Sequence, residues 1–250
     1  MGALHEGHLA LVHQAAANAE KVVVSIFVNP AQFAPHEDFA RYPRTMDSDR
    51  EKLERTGAVH LIYAPDVREI YPQGFATKVS LEGPASGLET DFRPHFFSGV
   101  ATVVTKLFVQ CRPDIALFGE KDYQQLLVVR RLSRDLDLGV EIVQVPTVRE
   151  ADGLALSSRN AYLTPEQRKV AGHLNRVLLS VGERARSGTP VGQAESEGAA
   201  SLIVAGFDRV DYVAIRDPET LVPLRTVDGP ARVLAAARIG SIRLIDNRPV

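Results

Sequence analysis

Four stretches of this chain, residues 21–28, 59–63, 115–118 and 140–145, are continuous runs of β-branched and apolar residues with no in–out alternation. Runs of that kind are strands buried on both faces, as in a parallel sheet. Between them, apolar positions recur with helical spacing over residues 9–19, 46–56, 100–110 and 123–135. The alternation of strand and helix predicts an α/β domain with a parallel, doubly wound sheet, in which ligands bind outside the carboxyl ends of the strands.

After Val145-Pro146 the pattern changes. Thr164-Pro165-Glu166-Gln167 combines a capping residue, a proline at the first helical position and a glutamine three residues after the cap, so a helix is expected from there to near Gly188. Thr189-Pro190 starts a second helix ending near Gly206, and residues 210–215, 231–236 and 242–245 have the composition of short strands. The chain is therefore expected to divide into residues 1–147, an α/β domain, and residues 148–250, a smaller α+β domain. The turn-rich stretch at residues 147–160 is the boundary.

Composition narrows the partners. Of 250 residues, 45% are hydrophobic and 24% charged, enough to bury a core. The 29 basic and 31 acidic residues are dispersed, with a net charge of −2, so nucleic-acid and membrane-surface binding are not expected. The only cysteine, Cys111, cannot form an internal disulfide and reads as packing. No apolar run reaches the ~20 residues of a membrane span, and the first residues lack a secretory pattern, so a cytoplasmic protein is expected.

Four segments carry candidate chemistry. His5-Glu6-Gly7-His8 precedes a helix, where two imidazoles, exposed N–H groups and the positive end of the helix dipole suit a phosphate. The same tetrapeptide reads equally as surface histidines, and a zinc site lacks further ligands at suitable spacing. Gly119-Glu120-Lys121-Asp122 follows a buried strand, where the lysine can neutralise a phosphate; Asp122 and Gln125 also fit a plain capping box. Leu156-Ser157-Ser158-Arg159, in a glycine-containing loop after Val148, suits a lid over a triphosphate or an ordinary solvated loop. Asn29-Pro30-Ala31-Gln32 lies at a strand's carboxyl end, where amides could orient a polar substrate, and is also a turn signal.

Together with Tyr42-Pro-Arg-Thr45, Gly99-Val-Ala-Thr-Val-Val-Thr-Lys-Leu107, residues 118–125, residues 146–160 and Ile242-Arg-Leu-Ile-Asp-Asn247, these segments resemble, in order and over nearly the whole chain, the pantothenate synthetase family. The resemblance implies a homodimer whose first domain has the Rossmann-like fold of nucleotidyltransferases with a His-x-Gly-His signature. It implies ATP-dependent condensation of pantoate with β-alanine through a pantoyl adenylate, releasing AMP and pyrophosphate. ATP would lie along Met1, Gly2, Ala3, Leu4, His5, Glu6, Gly7 and His8, along Gly119, Glu120, Lys121 and Asp122, and against Val148, Leu156, Ser157, Ser158 and Arg159. By similarity His8 is the general acid with His5 beside it. Gln32 would contact pantoate and β-alanine, Gln125 the pantoate, and Asp49 would lie near Mg²⁺ and the phosphates.

The chain departs from the family pattern in three places. Family members carry a further strand, ending Pro-Thr, ahead of the methionine at position 1, so the functional protein is expected to begin upstream. In Phe92-Arg-Pro-His-Phe-Phe-Ser-Gly-Val100 the histidine stands one place early, with Phe96 in its usual slot, which predicts weakened use of pantoate or β-alanine. Ser48 replaces a carboxylate in the acidic run. Two alternatives fit the same motifs: a nucleotidyltransferase of the same superfamily, and a non-catalytic truncated remnant.

Overall fold

The computed structural model describes residues 2–34 and 38–250, and Asp38 by its backbone alone. Met1, an expected ATP contact, lies outside the described residues. The chain forms two compact units: Met1–Glu120 with Gln124–Pro146, and Lys121–Tyr123 with Thr147–Val250.

The first unit runs α1 (Glu6–Asn18), β1 (Val23–Ser25), α2 (Met46–Thr56), β2 (Leu61–Tyr63), α3 (Val67–Ile70), α4 (Glu89–Phe92), α5 (Phe96–Cys111), β3 (Ile115–Gly119), α6 (Tyr123–Asp135) and β4 (Glu141–Val145). The helix α5 is apolar along most of its length because it is enclosed. Val100, Ala101, Val103, Val104 and Phe108 pack with Val128, Val129 and Leu132 of α6 and with Ile70 and Val140. A second cluster joins Leu4, Val12, Val22, Val24, Ile26 and Leu53. Leu53, fully buried on α2, ties that helix to the segment entering α1. Each such valine, leucine, isoleucine or phenylalanine side chain contributes roughly 1.5–3 kcal/mol.

The strands are parallel, as the continuous apolar runs predict, but they form two pairs rather than one sheet. In one, β1 joins β2 from Val23 opposite Leu61 to Ser25 opposite Tyr63; in the other, β3 joins β4 from Ile115 opposite Glu141 to Gly119 opposite Val145. The run expected at residues 21–28 supplies only three strand residues, since a ladder needs a hydrogen-bonding neighbour at each position and apolar pattern records only burial.

The second unit contains α7 (Pro165–Ala171), α8 (His173–Arg186), α9 (Val191–Val204), β5 (Arg209–Arg216), β6 (Arg232–Ile239) and β7 (Ile242–Pro249). Thr164 caps α7 with the predicted box, its hydroxyl accepting from the Gln167 N–H while the Gln167 side chain accepts from Thr164. The single helix expected from there breaks at Gly172, which lies so close to Asp152 that a Cβ would stand 2.3 Å from its Oδ2. The three strands form an antiparallel sheet ordered β5-β6-β7, with β6 buried along nearly its whole length beneath α8 and α9. Among the described residues, no helix is long and apolar enough to cross a membrane.

Candidate active site

The two histidines of the His-x-Gly-His run close the start of α1 on each other. Nδ1 of His5, the N-cap residue, accepts from the Gly7 N–H at 3.2 Å, and the His5 N–H donates to His8 Nδ1 at 3.3 Å. This is a capping box built from imidazoles where hydroxyl and carboxylate side chains are usual. The ring centroids are 4.0 Å apart. Because each Nδ1 accepts a hydrogen bond, each neutral ring carries its proton on Nε2. The cap thus sets the tautomer as well as the helix start, a role that motif spacing did not disclose.

The segment before α1 is held from α2. Asp49 is fully buried; its Oδ2 accepts from the Ala3 N–H at 2.8 Å, and its Oδ1 accepts from the Leu4 N–H at 2.7 Å and the Thr45 hydroxyl at 3.1 Å. One turn on, the Lys52 ammonium donates to the Leu4 carbonyl at 2.7 Å. Ala3 has a φ of +51°, a left-handed conformation that costs a non-glycine residue about 1–3 kcal/mol and persists only when its surroundings impose it. The two bonds from Asp49 do so. Glu6 is exposed on the first turn, whereas Gly2 and Leu4 are buried.

In this arrangement Asp49 is an anchor for the segment before α1. Three of the carboxylate's roughly four acceptor positions are taken by N–H or O–H donors and the side chain is fully buried, so at most one position is left for a cation. Among the described residues, no group of three or more His, Cys, Asp or Glu side chains is placed to hold a metal ion.

At the carboxyl end of β1 the Asn29–Gln32 turn is locked by buried amides. Asn29 Nδ2 donates to Gln32 Oε1 and to the Gly99 carbonyl, both at 3.1 Å, while its Oδ1 accepts from the Ala31 N–H at 3.2 Å and the Tyr71 hydroxyl at 2.7 Å. Burial pushes the Tyr71 phenol up to about 12 despite that bond, so it remains a donor. Helix α5 lies against the turn so closely that a Cβ on Gly99 would be 2.4 Å from the Ala31 carbonyl oxygen.

A bonded chain then leads from Gln32 to α6. Arg93 donates to the Gln32 carbonyl at 3.1 Å and pairs with buried Glu89 at 3.6 Å, and the Glu89 N–H donates to Gln124 Oε1 at 3.1 Å. Gln124 Nε2 in turn donates to the carbonyls of Pro84 and Gly87. Gln125, half-buried, is the next residue on α6. The off-register His95 is the N-cap of α5 with its Nε2 buried and without a hydrogen bond, while Phe96 packs beneath the Arg93 guanidinium, 3.9 Å from ring centroid to Cζ.

Gly119 and Glu120, half-buried at the end of β3, belong to the first unit; Lys121 and Asp122 belong to the second and approach each other at 3.8 Å. Val148 and Leu156 face each other across a short hairpin, the Leu156 N–H donating to the Val148 carbonyl at 3.0 Å with Arg149 bridged to Ala155. Ser157 then caps a short turn over Ser158–Tyr162, its hydroxyl accepting from the Arg159 N–H at 3.3 Å. The stretch expected to act as a lid is braced. Arg168 bonds to Asp152 at 2.7 Å and to Glu150 at 2.6 Å, and Asn160 Nδ2 donates to the Ala155 carbonyl at 3.1 Å. The Arg168 guanidinium, with the Leu154 N–H, holds the Asp152 carboxyl down at about 2.

A helix N-terminus capped by two tautomer-fixed imidazoles, in a unit of parallel strand pairs, places the chain among α/β proteins. The sequence profile of the pantoate–β-alanine ligase family matches residues 1–249, and the chain belongs to that family of ligases. It is 60% identical over 249 residues to the pantothenate synthetase of Nitrobacter hamburgensis, covering 99% of this chain and 87% of that protein. The pantothenate synthetase of Paramagnetospirillum magneticum is 56% identical over 247 residues, with 99% and 87% covered. The crystal structure of the Thermus thermophilus pantothenate synthetase superposes with a TM-score of 0.94 at 54% identity, over 99% of this chain and 90% of that one. A Francisella tularensis pantoate–β-alanine ligase, solved with β,γ-ATP and β-alanine, does so with a TM-score of 0.83 at 32% identity, over 99% and 86%.

Proposed function

We propose that the start of α1 is where this ligase, which condenses pantoate with β-alanine using ATP, handles the nucleotide's phosphates. The observation that carries the reading is the reciprocal His5–His8 cap, which fixes both rings with hydrogen on Nε2, a donor suited to phosphate oxygens. Pantoate's carboxylate attacks the α-phosphorus, and negative charge spreads onto the departing pyrophosphate. Nε2–H of His8 and His5 stabilises that charge without having to reorganise. The mixed anhydride, pantoyl adenylate, is then attacked at its carbonyl by the β-alanine amine, and AMP leaves.

Gln32 and Gln125 orient the substrates in this reading: Gln32, held by Asn29 and Arg93, contacts pantoate and β-alanine, and Gln125 contacts pantoate. Residues 2–8, 119–122, 148 and 156–159 supply the ATP contacts, with Lys121 and Arg159 as cations for the triphosphate. The Francisella tularensis complex with β,γ-ATP and β-alanine supports the choice of ligands. Magnesium, when bound, would be held largely by the nucleotide's own phosphates, with Asp49 left to anchor the segment before α1. A cytoplasmic homodimer belongs to the same reading.

The test separates capping from chemistry. Asparagine at position 8 retains an acceptor near the Nδ1 position but has no donor at Nε2. His8→Asn is therefore expected to keep the melting temperature within a few degrees while lowering kcat about 10²–10³-fold, the usual cost of losing one oxyanion donor. AMP release in the presence of pantoate and β-alanine is the readout. Wild-type turnover in both His8→Asn and His5→Asn would overturn the assignment.

A further inference from the structure

The motif Ile242-Arg-Leu-Ile-Asp-Asn247 has no role in the chemistry above, yet it ends in two consecutive buried polar residues, Asp246 and Asn247, 2% and 4% exposed. Successive residues of a strand face opposite sides, so a strand covered on one face would bury only one of them. Both are enclosed because each is bonded to a different segment of the second unit.

Asp246 takes Arg149 in a two-pronged bond, Oδ2 to Nη1 at 2.6 Å and Oδ1 to Nη2 at 2.8 Å. The same guanidinium donates to the Gly153 carbonyl at 2.9 Å and to the Asn247 carbonyl at 3.1 Å, so the base of the 148–156 hairpin is fixed to β7. Asn247 Nδ2 donates to the Lys121 carbonyl at 2.9 Å, and its Oδ1 accepts from Arg232. Arg232 is itself buried and lies over the Tyr123 ring, 3.7 Å from its centroid, while the Tyr123 hydroxyl donates to the Pro218 carbonyl at 2.8 Å. One dipeptide of β7 thereby anchors both Lys121 and the hairpin leading into Leu156–Arg159.

We propose that Asp246 and Asn247 are positioning residues that fix Lys121 relative to the Ser157–Arg159 turn for a triphosphate. The proposal rests on the reading of those segments as ATP contacts. Bidentate Arg–carboxylate and buried amide bonds give directional constraint, which a positioning role needs.

The experiment is a double-mutant cycle on the full chain between position 247 and Lys121. Asn247→Asp keeps the acceptor for Arg232 but sets a carboxylate oxygen against the Lys121 carbonyl. It is expected to lower kcat/KM for ATP about 10–30-fold while changing KM for β-alanine less than twofold. In a Lys121→Ala background the same substitution should add less than a twofold loss, because the group it positions is gone. Asn247→Ser, which adds no buried charge, is measured alongside with the same expectation, so that poor folding of the aspartate variant leaves a readout. Losses at position 247 that are equally large with and without the lysine side chain would overturn the proposal while leaving the ATP site intact. A Lys121→Ala enzyme with wild-type ATP kinetics would instead remove the reading on which the proposal rests.

Discussion

Replacing Asp49 by asparagine tests how much of the nucleotide segment is held by a single side chain. The substitution keeps shape and volume, but one oxygen becomes an NH₂ group. With Oδ1 still accepting from Leu4 and Thr45, that group faces the Ala3 N–H, which now donates at 2.8 Å to Oδ2. A charge-assisted bond of ~1.5–3 kcal/mol is lost and two donors oppose each other in a fully buried place. The sum is about 2–4 kcal/mol, a large part of a domain's usual 5–15 kcal/mol. At ~2–4 °C per kcal/mol for a protein of this size, the melting temperature should fall by about 5–15 °C. Ala3, with its φ of +51°, is freed to relax, and the His5–His8 cap moves with it. If about 2 kcal/mol of that constraint acts on the transition state, kcat/KM for ATP drops roughly 30-fold. The assay is calorimetry together with ATP kinetics across a range of Mg²⁺ concentrations. A variant that melts like the wild type and recovers its activity at high Mg²⁺ would refute the anchoring argument and restore Asp49 as a metal ligand.

Two further outcomes are expected. Gly99→Ala should raise KM for pantoate about tenfold and destabilise by ~1–3 kcal/mol, because its Cβ would lie 2.4 Å from the Ala31 carbonyl and must push the Asn29–Gln32 turn aside; unchanged pantoate kinetics would count against Gln32 as a substrate contact. The Asp152–Arg168 pair gives a pH signature. The folded-state carboxyl is depressed from 3.8 to about 2, so its contribution is complete above roughly pH 4 and is lost as pH falls through about 2. The difference in melting temperature between wild type and Asp152→Asn should hold steady above pH 5 and shrink toward zero near pH 2. A difference that instead grows with acidification contradicts the assigned direction.

Much of the fold could be read from local pattern. The bounds of α2 and α6 coincide with the stretches of helical spacing, and the Thr164 capping box is found as written. Departures arise where a distant partner decides. The long second-unit helix is divided at Gly172, which packs closely on the Asp152 side chain some twenty residues earlier, and the buried runs form two parallel pairs because apolar pattern carries no information on which edges meet. The site divides in the same way. His5 and His8 stand out by spacing, since both their partners lie within four residues. Asp49, by contrast, acts on backbone 45 and 46 residues away, and Asn247 on a carbonyl 126 residues away. A lone aspartate in an acidic run gives no sign that its oxygens accept from distant backbone N–H groups, and it is the family resemblance that places it near a metal.

The most direct test of the account is the first half-reaction in isolation. With pantoate and ATP but no β-alanine, wild-type enzyme in rapid-quench measurements should release one pyrophosphate per site in a single fast burst as the acyl adenylate forms. His8→Asn, folded and melting within a few degrees of wild type, is predicted to show the same burst amplitude at a rate at least a hundredfold lower. A burst of wild-type rate would contradict the claim that the imidazole-capped start of α1 stabilises the charge on the departing phosphates.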